Sequence, residues 1–211
     1  EGMWLPILLS DHPEAEMKRL GMRITAQDIY DINKPSLKDV VAMFGGGCTA
    51  EVISDKGLVL TNHHCGLSAI QSHSSVQFNY LINGFWARNN GEELENKGLK
   101  MTFLVRMEEV TDRVFAGIVA NMDDFKRQSL LDANIAAIEK EAMAGNKFEA
   151  KVKPFYHGNQ YFLIVSQVFR DVRLVAAPPQ RIGSFGGDTD NWIWPRHTGD
   201  FSIFRIYADA N

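Results

Sequence analysis

Apolar positions change their period several times along the chain, and each change predicts a different element. Residues 14–32 read as two short helices. The first closes at Gly21; the second starts at Thr25, whose hydroxyl suits an N-cap, and carries Ile29 and Ile32 on one face. Pro35 ends this lead-in. From Val40 the pattern becomes that of strands, beginning with residues 40–44. Residues 51–53 and 58–60 then flank Ser54-Asp55-Lys56-Gly57, whose Asp and Gly suit a tight hairpin. Residues 66–72 read as a short helix and 102–105 as another strand.

Between about Val110 and Ala144 the period turns helical. Val110, Val114, Ile118, Met122 and Phe125 form a stripe that Ile135, Ile138 and Ala142 continue, and Gly145-Asn146 stops it. Strands return at 151–155, 161–168 and 172–175, until Pro178-Pro179 breaks the chain. A Gly- and Trp-rich loop over 183–199 precedes the last strand, 201–207. A loop of ~15 residues with no structure of its own suggests function.

Composition narrows the class. With 211 residues, 45% of them hydrophobic and 23% charged, the chain suits a core-forming protein of one large domain or two small ones. A net charge of −4 supplies no basic patch for a phosphate backbone, so no nucleic-acid partner is expected. No apolar run approaches the ~20 residues of a membrane span.

The densest chemistry lies in Phe44-Gly45-Gly46-Gly47-Cys48, the hairpin, and Leu60-Thr61-Asn62-His63-His64-Cys65. The only two cysteines bracket the hairpin. The chain opens Glu1-Gly2-Met3-Trp4, a start that a removed secretory signal or a cloned fragment would each produce. After export, Cys48 and Cys65 would form a disulfide; in a cytosolic protein they would be two reduced, buried thiols. Closing a loop of this length contributes about 3 kcal/mol on the chain-entropy model. It would also hold the His64 loop against the strand ending at Phe44, as a general base requires. A zinc site from His63, His64, Cys65 and His73 is conceivable, but adjacent His-His-Cys side chains rarely point at one ion. No metal or cofactor is expected. The three glycines are no phosphate loop, because no Gly-Lys-Ser or Gly-Lys-Thr follows.

A strand, a cysteine, a hairpin and a His-Cys pair resemble the first barrel of the chymotrypsin-like serine peptidases. The strings Asn62-His63-His64-Cys65-Gly66 and Phe185-Gly186-Gly187-Asp188-Thr189-Asp190-Asn191-Trp192-Ile193-Trp194-Pro195-Arg196-His197-Thr198-Gly199-Asp200-Phe201 are more specific. They resemble the bacterial dipeptidyl-peptidase 7 and dipeptidyl-peptidase 11 family of serine exopeptidases. Gly2-Met3-Trp4 and Ala177-Pro178-Pro179 match as well.

This resemblance implies a mostly β fold with helical insertions, a chymotrypsin-like double β-barrel of which the chain holds mainly the first barrel. Residues 1–39 would be a helical lead-in and 40–211 the first-barrel part, with a helical insertion near 110–144. His64 would be the general base and Asp200 the carboxylate that orients it. Position alone favours Asp200, where a loop enters an apolar strand, over Asp188 and Asp190. Asn191 would accept a hydrogen bond from the substrate's ammonium and Trp192 would wall that pocket. Without the resemblance, Trp192 and Trp194 read as core packing.

The implied partners are oligopeptides with a free N-terminus, and the implied assembly is a homodimer. The implied location is periplasmic or secreted. No Gly-x-Ser-Gly string is present, and Ser184 sits too close to Asp200 for a familiar triad order. The nucleophile, the second barrel and a large helical domain are therefore expected beyond Asn211, and the 211 residues alone should be inactive. Residues 36–39, 51–57, 83–87 and 201–209 look like members that cut after Asp or Glu, whereas Gly45-Gly46-Gly47-Cys48 is nearer the apolar-specific kind. The rival reading is a non-catalytic receptor for peptide N-termini.

Overall fold

The computed structural model describes residues 5–10, 13–183 and 199–208. Its elements begin with helices α1 (Pro13–Arg19) and α2 (Ala26–Ile29), then strands β1 (Val41–Phe44), β2 (Cys48–Val52) and β3 (Leu58–Thr61). Helices α3 (His63–His73) and α4 (Tyr80–Asn83) lead to the short strands β4 (Phe85–Trp86) and β5 (Leu94–Glu95) and the long β6 (Met101–Glu109). Helices α5 (Thr111–Val114) and α6 (Asp124–Ala142) precede β7 (Glu149–Phe155), β8 (Gln160–Phe169) and β9 (Asp171–Ala177); α7 (Gln180–Gly183) and β10 (Ser202–Tyr207) complete the series. The fold is mixed α/β with antiparallel strand pairing. It divides into two units, residues 1–39 with 103–168, and residues 40–102 with 169–211. No helix among the described residues is long and apolar enough to cross a membrane.

In the second unit the strand order is β4-β9-β10-β3-β2-β1, with β5 also on β9. The pairings are antiparallel. Alternation sorts the faces: Ala42 and Phe44 of β1, Val59 and Thr61 of β3, and Ser202 and Phe204 of β10 point inward. Phe44 and Phe204 meet with ring centroids 4.7 Å apart, and Ile70 of α3 and Leu174 of β9 are buried in the same unit. Each such side chain contributes about 1.5–3 kcal/mol by leaving water. The β2–β3 hairpin turns where Asp55 and Gly57 predict it. Gly57 has φ +72°, and a Cβ there would stand 2.7 Å from the Ile206 carbonyl oxygen, so the strand pairing requires glycine.

The first unit packs Val114, Leu131, Ile138 and Ala142 against Val152, Leu163 and Val165 of the β7–β8 pair. The helical stripe expected from Val110 onward is interrupted. Gly117 turns the chain at φ +78°, and the Asp123 carboxylate accepts from the Lys126 amide to start α6 afresh. Phe125, placed on the stripe by its spacing, is 80% exposed, and Leu131 takes the core position instead. Thr25 does cap α2, in a reciprocal box with Asp28. That helix ends at Ile29, however, so Ile32 lies beyond it and is exposed.

Candidate active site

The end of the β3–β10 pair sets the site. Ser202 is paired with Thr61, so the residues just after β3 and just before β10 emerge side by side. The first are Asn62, His63 and His64, which open α3; the second is Asp200. His64 Nδ1 lies 2.9 Å from Asp200 Oδ2. A carboxylate can only accept, so Nδ1 holds the proton of the neutral ring and Nε2 is left as the acceptor. The His64 side chain is 58% exposed and that of Asp200 only 15%.

Asp200 is held by more than the ring. Its Oδ1 accepts from the His64 backbone amide at 3.1 Å, and Asn62 Nδ2 donates to its Oδ2 and its carbonyl oxygen, both at 3.2 Å. Asn62, the N-cap of α3, makes no side-chain cap of its own. The carboxylate of another element therefore serves the helix's unpaired amides, where the positive end of the helix dipole favours an anion. Burial pushes the Asp200 carboxyl upward. Hydrogen bonds from the His64 amide and ring, the charge of that ring and the His63 amide outweigh it and hold the group below the usual carboxylate range. Ser202 Oγ donates to the Asn62 carbonyl at 2.8 Å and ties the two strand ends together.

His63 points the other way. It is 1% exposed, bonds the Pro178 carbonyl and lies against Gly183. Burial pushes its imidazole below the ordinary histidine range, against the Pro178 bond and the Asp200 charge, which pull it up. Cys48 and Cys65 form a disulfide. The four zinc-candidate side chains do not converge: Cys65 is in that disulfide, His63 faces Pro178, and His73 Nε2 lies 3.0 Å from Asn96 Oδ1.

Asn191, Trp192 and Trp194 lie outside the described residues, as do His12, Ser184, Asp188, Asp190 and His197. The flanks of that segment are fixed beside the pair, because Gly199 N–H donates to the Ile182 carbonyl at 3.0 Å and Gly183 abuts His63. Asn62 and Ser202 are site residues that the sequence reading missed. Neither left a local signal: the sequence places the helix start near Gly66, beyond Asn62, and Ser202 lies inside a strand.

A histidine paired with a part-buried carboxylate at the end of two antiparallel strands is an arrangement found in hydrolases of the peptidase class. The chain belongs to the peptidase S46 family, whose model matches residues 1–211. It is 57% identical over 210 residues to the Asp/Glu-specific dipeptidyl-peptidase of Capnocytophaga gingivalis and 48% identical over 211 residues to that organism's dipeptidyl-peptidase 7. Each alignment takes in 100% of this chain and 30% of the relative, so the chain spans under a third of their length. Among solved structures, it resembles Porphyromonas endodontalis DPP11 in complex with the dipeptide Arg-Glu. The TM-score is 0.84 at 48% identity, covering 99% of this chain and 31% of that one.

Proposed function

We propose that this chain is part of a serine-type dipeptidyl-peptidase that releases N-terminal dipeptides with an acidic second residue. The observation that carries the reading is the His64 Nδ1–Asp200 Oδ2 contact of 2.9 Å. It fixes the tautomer in which Nε2 takes the proton of an attacking hydroxyl, and it stabilises the imidazolium that results. His64 is the general base and Asp200 its orienting carboxylate. The serine comes from outside these 211 residues, on the second barrel of a chymotrypsin-like pair of which this chain contributes mainly the first. The 211 residues alone are therefore inactive. Asn191 and Trp192 hold the substrate's ammonium, which sets the dipeptide register. An oxidising compartment outside the cytoplasm agrees with the disulfide.

The acidic preference draws support from two Asp/Glu-specific relatives at 57% and 56% identity, against 51% and 48% for two dipeptidyl-peptidase 7 relatives. The test is turnover of an acidic dipeptidyl-coumarin by the full-length protein. His64→Ala and Asp200→Asn are each expected to lower kcat by about 10^4-fold, since one removes the base and the other frees its tautomer. Activity within tenfold of the unaltered enzyme in either variant would falsify the assignment.

A further inference from the structure

The disulfide shares a helical turn with the general base. Cys65 follows His64 in the first turn of α3, and Cys48 opens β2. One ring nitrogen of His64 and the two sulfurs all lie within 4.8 Å of one another. Around a tetrahedral zinc ion, with Zn–S of about 2.3 Å and Zn–N of about 2.0–2.1 Å, such atoms stand about 3.5–3.8 Å apart. Small side-chain movements therefore bring all three onto one ion. Two thiolates and an imidazole with an open fourth position are a zinc set in their own right. The grouping suggested by the sequence failed because His63 and His73 turn elsewhere; the fold brings Cys48 in their place. In the oxidised protein the set is blocked, since the metal ligand is the thiolate and the two sulfurs are bonded to each other.

We propose that reduction of Cys48–Cys65 turns the start of α3 into a Cys2His site for zinc or a similar divalent ion, and that the bound ion switches His64 off as a base. The off-state rests on the peptidase reading of His64; the metal site does not. A dithiol reductant supplies the electrons. One of its thiolates attacks a disulfide sulfur, which breaks the S–S bond, frees one cysteine and forms a mixed disulfide. Its second thiolate then closes the reductant's own disulfide and releases the other cysteine. The ion displaces the protons of both cysteine thiols to water as it binds. Access is open: both cysteines are half-buried in the wall of a cleft of about 700 Å³, beside the exposed Gly46 and Gly47. The two sulfurs keep positions of their own once the bond is cut. Cys48 is held by its β1 partner Phe44, and Cys65 by α3, which is seated against β10 at Gly66. Nδ1 of His64 keeps its proton toward Asp200, so Nε2 carries the lone pair that the ion takes. Asp200 then orients the ligating ring, an arrangement common around zinc-bound histidines. The same lone pair must receive the serine proton, so metal binding and catalysis exclude each other.

Cobalt(II) and zinc binding to the full-length protein test this, after reduction with a phosphine under argon and removal of the phosphine. The reduced protein is expected to take up one equivalent more than either the oxidised protein or a Cys48→Ser/Cys65→Ser variant. Its cobalt form should show thiolate-to-metal charge-transfer absorption. His64→Ala is expected to weaken the binding about 100-fold. Zinc at about 100 times its Kd should lower turnover of the acidic dipeptidyl-coumarin by the reduced protein about 100-fold, because about 1% of the base stays free. A chelator should restore it, and the oxidised protein should be unaffected. Equal metal uptake by the reduced protein and the double variant, an unchanged affinity in His64→Ala, or equal inhibition of the oxidised and reduced forms overturns the proposal. So does a reduced, metal-free protein that no longer melts cooperatively, since its ligands then have no fixed places. A protein that takes the ion through Cys48, Cys65 and His64 but turns over no peptide in any state would sink the peptidase reading and the off-state, and leave the metal site standing.

Discussion

His63 and His64 are neighbours in sequence with opposite surroundings, because successive residues in the first turn of α3 point about 100° apart. His64 reaches solvent beside Asp200, whereas His63 is sealed under Gly183 with its Nε2 buried and without a hydrogen-bond partner among the described residues. A buried imidazole whose pKa is lowered on folding resists protonation in the native state, while the unfolded chain takes up the proton near the ordinary value of about 6.5. The unfolded state then binds more protons, so stability falls as pH drops through about 6.5 and continues to fall until the lowered native value is reached. His63→Leu is expected to flatten this slope, even though losing the Pro178 bond makes the variant less stable at pH 7.5. Urea midpoints of both proteins between pH 5 and 7.5 measure it, and parallel slopes would contradict it. At this scale, His64, Asp200 and the cysteines were legible through a local string. Asn62 acts on a carboxylate 138 positions away, and no local pattern reports that.

Helix α3 shows what happens when an element's boundary is decided elsewhere. The sequence places its start near Gly66, but the helix begins at His63. The first turn carries no cap from its own residues, and the Asp200 carboxylate caps it from across the strand pair. Gly66 marks the closest approach to β10. A Cβ there would lie 2.6 Å from Ser202 Oγ and 3.1 Å from the Phe204 ring, and Ser202 Oγ is fixed by its bond to the Asn62 carbonyl. Helix propensity alone would favour Gly66→Ala by about 1 kcal/mol. Forcing α3 off β10 is expected to outweigh that, with a net loss of about 1–3 kcal/mol. It should also lower kcat, since α3 carries His64 and β10 follows Asp200. Thermal melts and turnover of the full-length variant check both; unchanged kcat in a folded protein would show that the helix seat does not set the pair's geometry. The stretch after Val110 is helical as read but breaks in two for a related reason. Spacing by fours continues through Gly117, but the backbone there is left-handed, and a stripe of apolar letters does not record that.

At the scale of the whole molecule, the unit that holds the site is assembled from chain pieces far apart in sequence. The hairpin, the strands and the final run 201–207 were legible as elements, because alternation and turn residues are local. The pairing of β10 with both β3 and β9 was not, since register between distant strands depends on partners that a local window omits. One buried network joins the two pieces directly. Glu93, with its side chain 2% exposed, takes Arg205 Nε on one oxygen and the Tyr207 hydroxyl on the other, each at 2.8 Å. Arg205 also donates to the Lys56 carbonyl at 2.7 Å, at the hairpin turn. The ion pair itself is no guarantee of net stability, because both charges lost their water. Removing only the cation leaves a buried carboxylate with one hydroxyl partner. Arg205→Met is therefore expected to cost about 3–5 kcal/mol, while Glu93→Met with Arg205→Met should cost clearly less than the two single changes summed. Urea denaturation of the four proteins in the cycle gives the coupling. Additivity within about 0.5 kcal/mol would mean that Glu93 and Arg205 act independently, and that the two chain pieces are joined by strand pairing and core packing alone.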